Sequence, residues 1–451
     1  MILVRRNATR VRSLFQGDRL RARSLRATAL LFGSFGIAKA LQLGANLVVT
    51  RLLFPEAFGL MALVSVFLTG LELMSDVGIK ASVVRSGRSE DPVFQATAWT
   101  LQVVRGGWIT LLAILLAWPY ARIYDEPLLF PLILVVAATP LITGFWSIEA
   151  SMLERRLTLG RVVTMQILSR LVSSAVMIGF AWGFGSVWGL AVGTVAGAAV
   201  TTALSHVVMP SKNHRFVWDR SVLGEIMAFG RWILLATLFT FLGNKGLQGV
   251  RGTLIDLDTL AYLHIATMFA LIIVDLMQKI LTRVGYSALS ETVRERPERV
   301  KRMTARIRTL QTMVSTPAFL LLAAGGPLLI GLLYDPRYEA AGPYLTLLAL
   351  ANALAVLPLV YQKTLLALGD SRTHAVVTGT ASVLRIAAVF VGFWAAGVTG
   401  MLLADGLALL LVFALSAGIA VRRGYATLRV DFLNLAAIGA AYLVLVPPLL
   451  L

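Results

Sequence analysis

Twelve apolar runs of roughly 20 residues, set apart by short polar connections, govern what this chain is able to fold into. A helix rises 1.5 Å per residue, so a run of that length crosses ~30 Å of hydrocarbon while bonding every backbone N–H and C=O within itself. The runs fall near 29–50, 57–79, 97–118, 128–148, 161–182 and 187–209. After a polar stretch from Pro210 to Arg231 they resume near 232–250, 259–282, 311–333, 342–367, 375–395 and 398–420. A further run, 433–451, reads as a thirteenth span. Hydrophobic residues are 58% of the 451 and charged ones 14%, against about half and a quarter in soluble domains. That surplus does not fit in a soluble core. It excludes a soluble enzyme, a disordered chain and a nucleic-acid-binding domain, and predicts an all-α polytopic membrane protein.

The basic residues set the expected orientation. Eight arginines precede Ala27, and the even-numbered connections hold Lys80, Arg85 and Arg88, then Arg155, Arg156 and Arg161, then Lys212, Arg215, Arg220 and Arg231. They go on with a block from Lys279 to Arg308, then Lys363 and Arg372, then Arg422, Arg423 and Arg429. The odd-numbered connections carry only Arg51, Arg122, Lys245, Arg251 and Arg337. Basic residues gather in cytoplasmic loops, so this alternation places the N-terminus and both ends of the twelve-span core in the cytoplasm of a plasma (inner) membrane protein. It also accounts for the net charge of +18 as contact with anionic membrane lipids, with no nucleic-acid partner. The arginine-rich tail is too polar for a cleaved signal peptide. The Lys279–Arg308 block reads as a solvated, lipid-facing helix.

Reactive chemistry is sparse. The chain has no cysteine and four histidines, which leaves neither a thiolate nucleophile nor a metal-ligand cluster to expect. Neither a Gly-x4-Gly-Lys-Ser/Thr phosphate loop nor a His-Glu-x2-His metal motif occurs. The outward connections are too short to hold a catalytic domain. No cofactor, no metal and no enzyme activity are expected.

Three pairs of segments repeat in the same order. Thr50–Leu60 matches Arg251–Tyr262, with the arginines 200 positions apart; Asp76–Ser82 matches Arg283–Leu289; Leu168-Ser-Arg170 matches Val383-Leu-Arg385, 215 apart. The pattern predicts two pseudo-symmetric six-helix bundles plus an extra C-terminal helix. The expected divisions are a tail over 1–28, a lobe over 29–209, a linker over 210–231, a lobe over 232–420, and a loop with the final helix over 421–451.

Polar groups at bilayer depth are costly and face cavities or partner helices. At helical spacing Lys39, Gln42, Asn46 and Thr50 share a face of the first span, and Ser65, Thr69, Glu72 and Asp76 one of the second. Thr237, Thr240, Asn244, Gln248 and Arg251 line the seventh, and His264, Met268, Asp275 and Lys279 the eighth. Arg170, sharing its face with Gln166 and Ser173, and Arg385, with Thr378 and Ser382, lie about 15 Å into their spans at the helical rise. Arg105 is placed to snorkel toward headgroups, His264 reads as a satisfied polar residue, and Asp405 lies in the twelfth span. The expectation is a water-filled cleft lined by spans one, two, seven and eight.

The segments Thr50–Leu60, Asp76-Val-Gly-Ile79, Leu333–Ala341 and Ala367-Leu-Gly-Asp-Ser371 resemble those of the oligosaccharide flippases. These are the Wzx-like polysaccharide transporters of the multidrug/oligosaccharidyl-lipid/polysaccharide (MOP) exporter superfamily. The resemblance covers roughly residues 29–420, and the chain differs from fourteen-span members in stopping after about thirteen. It implies a V-shaped pair of lobes that open alternately to either side of the membrane. The implied cargo is an oligosaccharide on polyprenyl pyrophosphate, supplied to a polysaccharide polymerase machinery for surface or exported glycan. Dense anions need cations at depth to replace their water. Lys39, Arg170 and Arg385 are the candidates for the head group, with Arg51 and Arg251 at the outward mouth. Gln42, Asn46, Asn244 and Gln248 are the candidates for the sugars, and Glu72, Asp76, Asp275 and Asp405 for proton or cation coupling. The competing expectations are a multidrug antiporter of the same superfamily, for which the deep cations are the wrong sign, and a membrane glycan polymerase, ligase or glycosyltransferase, which lacks its outward catalytic loop here.

Overall fold

The computed structural model describes residues 20–155, 160–211, 213–241 and 245–449. Most of the arginine-rich tail, Arg156, Lys212 and Asn244 lie outside the described residues, as do the side chains of Thr237 and Thr240. The elements are α1 (Leu20–Leu52), α2 (Pro55–Met74), α3 (Ile79–Arg85), α4 (Pro92–Ile123), α5 (Leu129–Val136), α6 (Ala138–Gly144), α7 (Glu149–Arg155), α8 (Gly160–Phe184) and α9 (Trp188–Val208). They continue with α10 (Arg220–Phe241), α11 (Leu247–Gly252), α12 (Leu257–Ile280), α13 (Tyr286–Glu295), α14 (Val300–Leu333), α15 (Ala341–Val356), α16 (Leu359–Ala367), α17 (Ser371–Arg422) and α18 (Leu428–Leu445). Nine helices among the described residues are long and apolar enough to cross a membrane, and α18 is one of them. The linker expected to run to Arg231 is shorter, because α10 begins at Arg220, where Asp219 accepts from the backbone N–H of Val222 at 3.0 Å.

The chain divides into two units, residues 1–53 with 67–237, and residues 54–66 with 238–451. It passes from one to the other three times: between α1 and α2, back within α2, and again within α10.

In the first unit α8 and α9 form a hairpin around Gly185, whose φ of 58° is open to glycine without a Cβ clash. Gly189, Gly193 and Gly197 recur every fourth residue on α9 and face Ala181, Met177 and Ser173 of α8 in turn. A Cβ on Gly193 would lie 2.6 Å from that of Met177. Small residues at this spacing let helix backbones touch where no hydrophobic force separates protein from lipid. Elsewhere in the unit Ile79, Phe94, Trp99, Ile148 and Ile226 share one apolar cluster that packs α3, α4, α7 and α10 together.

In the second unit α17 runs 52 residues but is two helices: Ala396 and Gly397 leave helical geometry, with φ of 60° at the glycine. Its arms fold back on one another, since a Cβ on Gly392 would meet the Gly400 carbonyl at 2.4 Å. The helix break between α15 and α16 sits at Pro358 and frees carbonyls in an apolar setting. Gln311 of α14 donates to the Val356 carbonyl at 2.6 Å, and Arg308 to that of Leu357. Broken spans are tolerated in membranes when side chains bond the freed groups in this way.

Arg308 overturns the expectation that the whole Lys279–Arg308 block is solvated. It is 0% exposed. Its guanidinium lies 4.4 Å from the Tyr361 ring centroid and pairs with Asp431 of α18, whose other oxygen accepts from the Tyr361 hydroxyl at 2.6 Å. Thr316 donates to Asn434 at 2.6 Å further along the same two helices. Spacing alone hid this, because α14 starts at Val300 and carries Arg308 two turns inward, to where α16 and α18 converge.

Candidate functional site

Three charged side chains meet in the second unit. Asp405, on the second arm of α17, is 1% exposed, and Arg251, in the last turn of α11, is 7% exposed. Arg385, on the first arm of α17, grips Asp405 bidentately: its Nε donates to Oδ1 at 2.7 Å and its Nη2 to Oδ2 at 3.0 Å. Arg251 adds a third bond, Nη2 to Oδ2 at 3.0 Å. The hairpin positions the first pair, because antiparallel arms joined by a two-residue turn bring residues 385 and 405 level. One carboxylate against two guanidiniums leaves the triad with a net positive charge. Arg251 Nε is buried and has no hydrogen-bond partner among the described residues.

The first hairpin has no such charge. Counted from the turn glycines Gly185 and Gly397, the places of Arg385 and Asp405 correspond to Ser173 and Gly193, where the Ser173 hydroxyl donates to the Gly193 carbonyl at 2.9 Å. The sequence match of Arg170 with Arg385 is therefore one turn out of the structural register. Ser173, expected to face a cavity beside Arg170, is spent on helix packing, and Arg170 itself is exposed. Arg170 makes no ion pair or hydrogen bond with any other described residue.

A second polar chain joins α2, α11 and α12. Lys245 Nζ donates to Ser65 Oγ at 3.4 Å and to Gln248 Oε1 at 3.3 Å, and the Gln248 amide lies 3.2 Å from His264 Nδ1. Lys245 was expected in an outward connection. The turn from residue 245 into α11 instead swings it onto the Gln248 face, a placement that the three-residue spacing to Gln248 would have revealed.

The remaining candidates are more dispersed. Lys39 is half-buried with its ammonium 5.7 Å from the Phe35 ring centroid, Gln42 and Asn46 are half-buried on the same helix, and Arg51 is exposed in its last turn. Thr50 is buried and bonds back to the Leu47 carbonyl at 3.1 Å. Asp76 is not part of a helical stripe: α2 ends at Met74, and the carboxylate accepts from Gly78 N–H at 2.9 Å in a tight turn. Arg105 does not snorkel. Its Nε donates to the Ser75 carbonyl at 2.8 Å and its Nη2 to that of Glu72, so it caps the C-terminus of α2 while its charge faces Glu72 and Asp76. Asp275 is half-buried on α12, whereas Met268 on that helix is core.

An apolar cleft of about 410 Å³ also opens in the second unit. Leu354, Leu403, Leu407, Leu410, Ile438 and Tyr442 line it, none of them a charged candidate.

The lipid II flippase MurJ, in an inward closed conformation, matches this fold at a TM-score of 0.69 and 12% identity, over 93% of this chain and 92% of that one. An inward-facing multidrug resistance MATE family transporter of the MOP superfamily matches at 0.66 and 16%, over 84% and 93%. MATE in the bent conformation matches at 0.57 and 15%, over 95% and 98%. At such identities the likeness is one of fold. No curated protein sequence matches the chain. The sequence model of the family described as "Polysaccharide biosynthesis protein" matches residues 48–343, well over half of the 451. The chain, with the fold of the MOP exporters, therefore belongs to the polysaccharide biosynthesis protein family.

Proposed function

We propose that this protein is a flippase that carries a polyprenyl-pyrophosphate-linked oligosaccharide from the cytoplasmic to the outer leaflet of the plasma membrane by alternating access. The observation that carries this reading is the Arg251–Asp405–Arg385 triad, a net cation buried in a chain of the polysaccharide biosynthesis family. A diphosphate leaving water needs guanidinium or ammonium donors to replace its hydration, and an organic cation would be repelled there. Arg170 and Lys39 of the first unit are assigned to the same head group, and Arg51 to its approach. Gln42, Asn46, Asn244 and Gln248 supply carboxamide hydrogen-bond partners for the sugar hydroxyls. Glu72, Asp76 and Asp275 stand as the coupling candidates. The basic connections face the cytoplasm on this reading, and the delivered glycan passes to a polymerase.

The test is mass spectrometry of polyprenyl-linked sugars from cells lacking the gene. A complete repeat unit accumulating on its lipid, on the cytoplasmic face, with surface polymer lost, is the expected result. An unchanged lipid-linked pool overturns the reading and favours the multidrug antiporter.

A further inference from the structure

Asp405 satisfies its two arginines incompletely, and the shortfall has a direction. Arg385 engages both carboxylate oxygens, so Arg251 shares Oδ2 through one N–H. The Arg251 Nε, buried in a residue 7% exposed, is left without an acceptor among the described residues. A guanidinium presents about five N–H donors in a rigid fork, whereas a carboxylate offers only two oxygens. The donor set is larger than its occupant. A phosphoryl group has three oxygens and up to two charges, which fill the Arg385 fork and reach the Arg251 Nε as well.

We propose that Asp405 is a resident stand-in for an anionic ligand. It occupies an oxyanion site formed by Arg251 and Arg385 and gives way when the diphosphate of the cargo arrives, an inference that rests on the flippase reading. Two guanidiniums alone in an apolar unit would be uncompensated buried charges, the costliest arrangement available. The carboxylate removes that cost while the site waits. The arms of α17 are packed backbone to backbone at Gly392 and Gly400, so Asp405 leaves by turning its own side chain and not by separating the helices. Occupant and ligand exclude each other, and apparent affinity is lowered by the fraction of time that Asp405 is in place. On this account Asp405 is a brake on anion binding and carries no coupling ion.

The experiment is a titration of the full chain in nanodiscs with inorganic pyrophosphate, read by calorimetry. Asp405→Asn is expected to bind roughly tenfold tighter or better, since each tenfold change needs only a modest free-energy difference. Arg251→Gln and Arg385→Gln are expected to bind at least about tenfold weaker than the wild type. Unchanged or weaker binding by folded Asp405→Asn overturns the proposal. Should that variant not fold, wild-type protein carrying ¹³C-carboxyl aspartate gives the answer by infrared difference spectroscopy. One aspartate carboxylate band shifts on adding saturating pyrophosphate if Asp405 is displaced, and no shift overturns the proposal. Translocation of a lipid-linked oligosaccharide into vesicles tests flipping separately. Transport without pyrophosphate binding overturns this site alone, and absence of both overturns the two readings together.

Discussion

Asp431→Asn removes the charge that holds Arg308 and tests whether α18 is an integral helix. In the native structure the Arg308 guanidinium is fully buried, pairs with Asp431 and bonds the Leu357 carbonyl, while Asp431 also accepts from Tyr361. Asparagine keeps the shape and one hydrogen bond but strands a buried cation. Breaking a buried pair from one side costs about 3–5 kcal/mol, mostly as the uncompensated charge. At 1.4 kcal/mol per decade this raises the open population of α18 by two to three and a half decades, roughly 10²- to 4 × 10³-fold. Hydrogen exchange of the amides over 428–438, in nanodiscs, reads it directly: protection falls by the same factor where opening limits exchange. Replacing the pair together, Arg308→Met with Asp431→Leu, recovers most of the loss, because well-packed apolar groups replace buried ion pairs at little cost. Protection within about threefold of wild type in Asp431→Asn, well under 1.4 kcal/mol, would refute the clamp.

Gly397→Ala forces a side chain into a φ of 60° and ψ of −145°, a region close to glycine-only, and costs about 1–3 kcal/mol in thermal unfolding. Gly193→Val pushes a branched side chain against Met177 and costs a similar ~1–3 kcal/mol, seen as a lower melting temperature with the hairpin loosened. In the connection between α9 and α10, burial and the neighbouring His206 push the His214 imidazole down to about 4. The folded chain thus keeps the ring neutral where the unfolded chain binds a proton, so stability is complete above ~pH 6.5 and is lost as pH falls toward 4. Melting temperatures scanned across that window decline in the wild type and decline less in His214→Phe. Arg170→Ala leaves stability within about 0.5 kcal/mol, since the side chain is exposed, yet it abolishes glycan export at normal membrane levels. Normal export in that variant removes Arg170 from the site.

Much of the fold was legible because lipid imposes a length rule: apolar runs of about 20 residues have few alternatives to spanning helices. The charged site was legible only as parts. Arg385 and Asp405 stood out as ionisable groups in apolar runs, and Arg251 as the end of a polar stripe at an outward connection, but helical spacing fixes which face of one helix a residue occupies, not which face of another helix it meets. Their convergence depends on the two-residue turn at Ala396 and Gly397, which falls in the gap expected between the runs 375–395 and 398–420, and on the packing of Arg251 against that hairpin, which no spacing announces. Asp76 failed for a local reason, as the helix stops two residues earlier. Arg308 failed for a tertiary one, because its partner Asp431 lies 123 residues away. The Arg170–Arg385 match misled because local sequence likeness and the register set by the turn glycines differ by three residues, close to one helical turn.

The α17 hairpin also bears on how the chain enters the membrane. Arg385 and Asp405 are 20 residues apart, whereas Arg251 lies 154 from Asp405. A lone charge at a helix centre costs about 2.5–3.5 kcal/mol at insertion. If each arm entered singly, that penalty would fall twice. Entering as a closed hairpin, the arms present the translocation machinery with a neutral pair, and the long-range partner Arg251 joins only when the bundle assembles. The same charge pair thus also lowers the barrier to biogenesis, and its two members have reason to stay close in the chain.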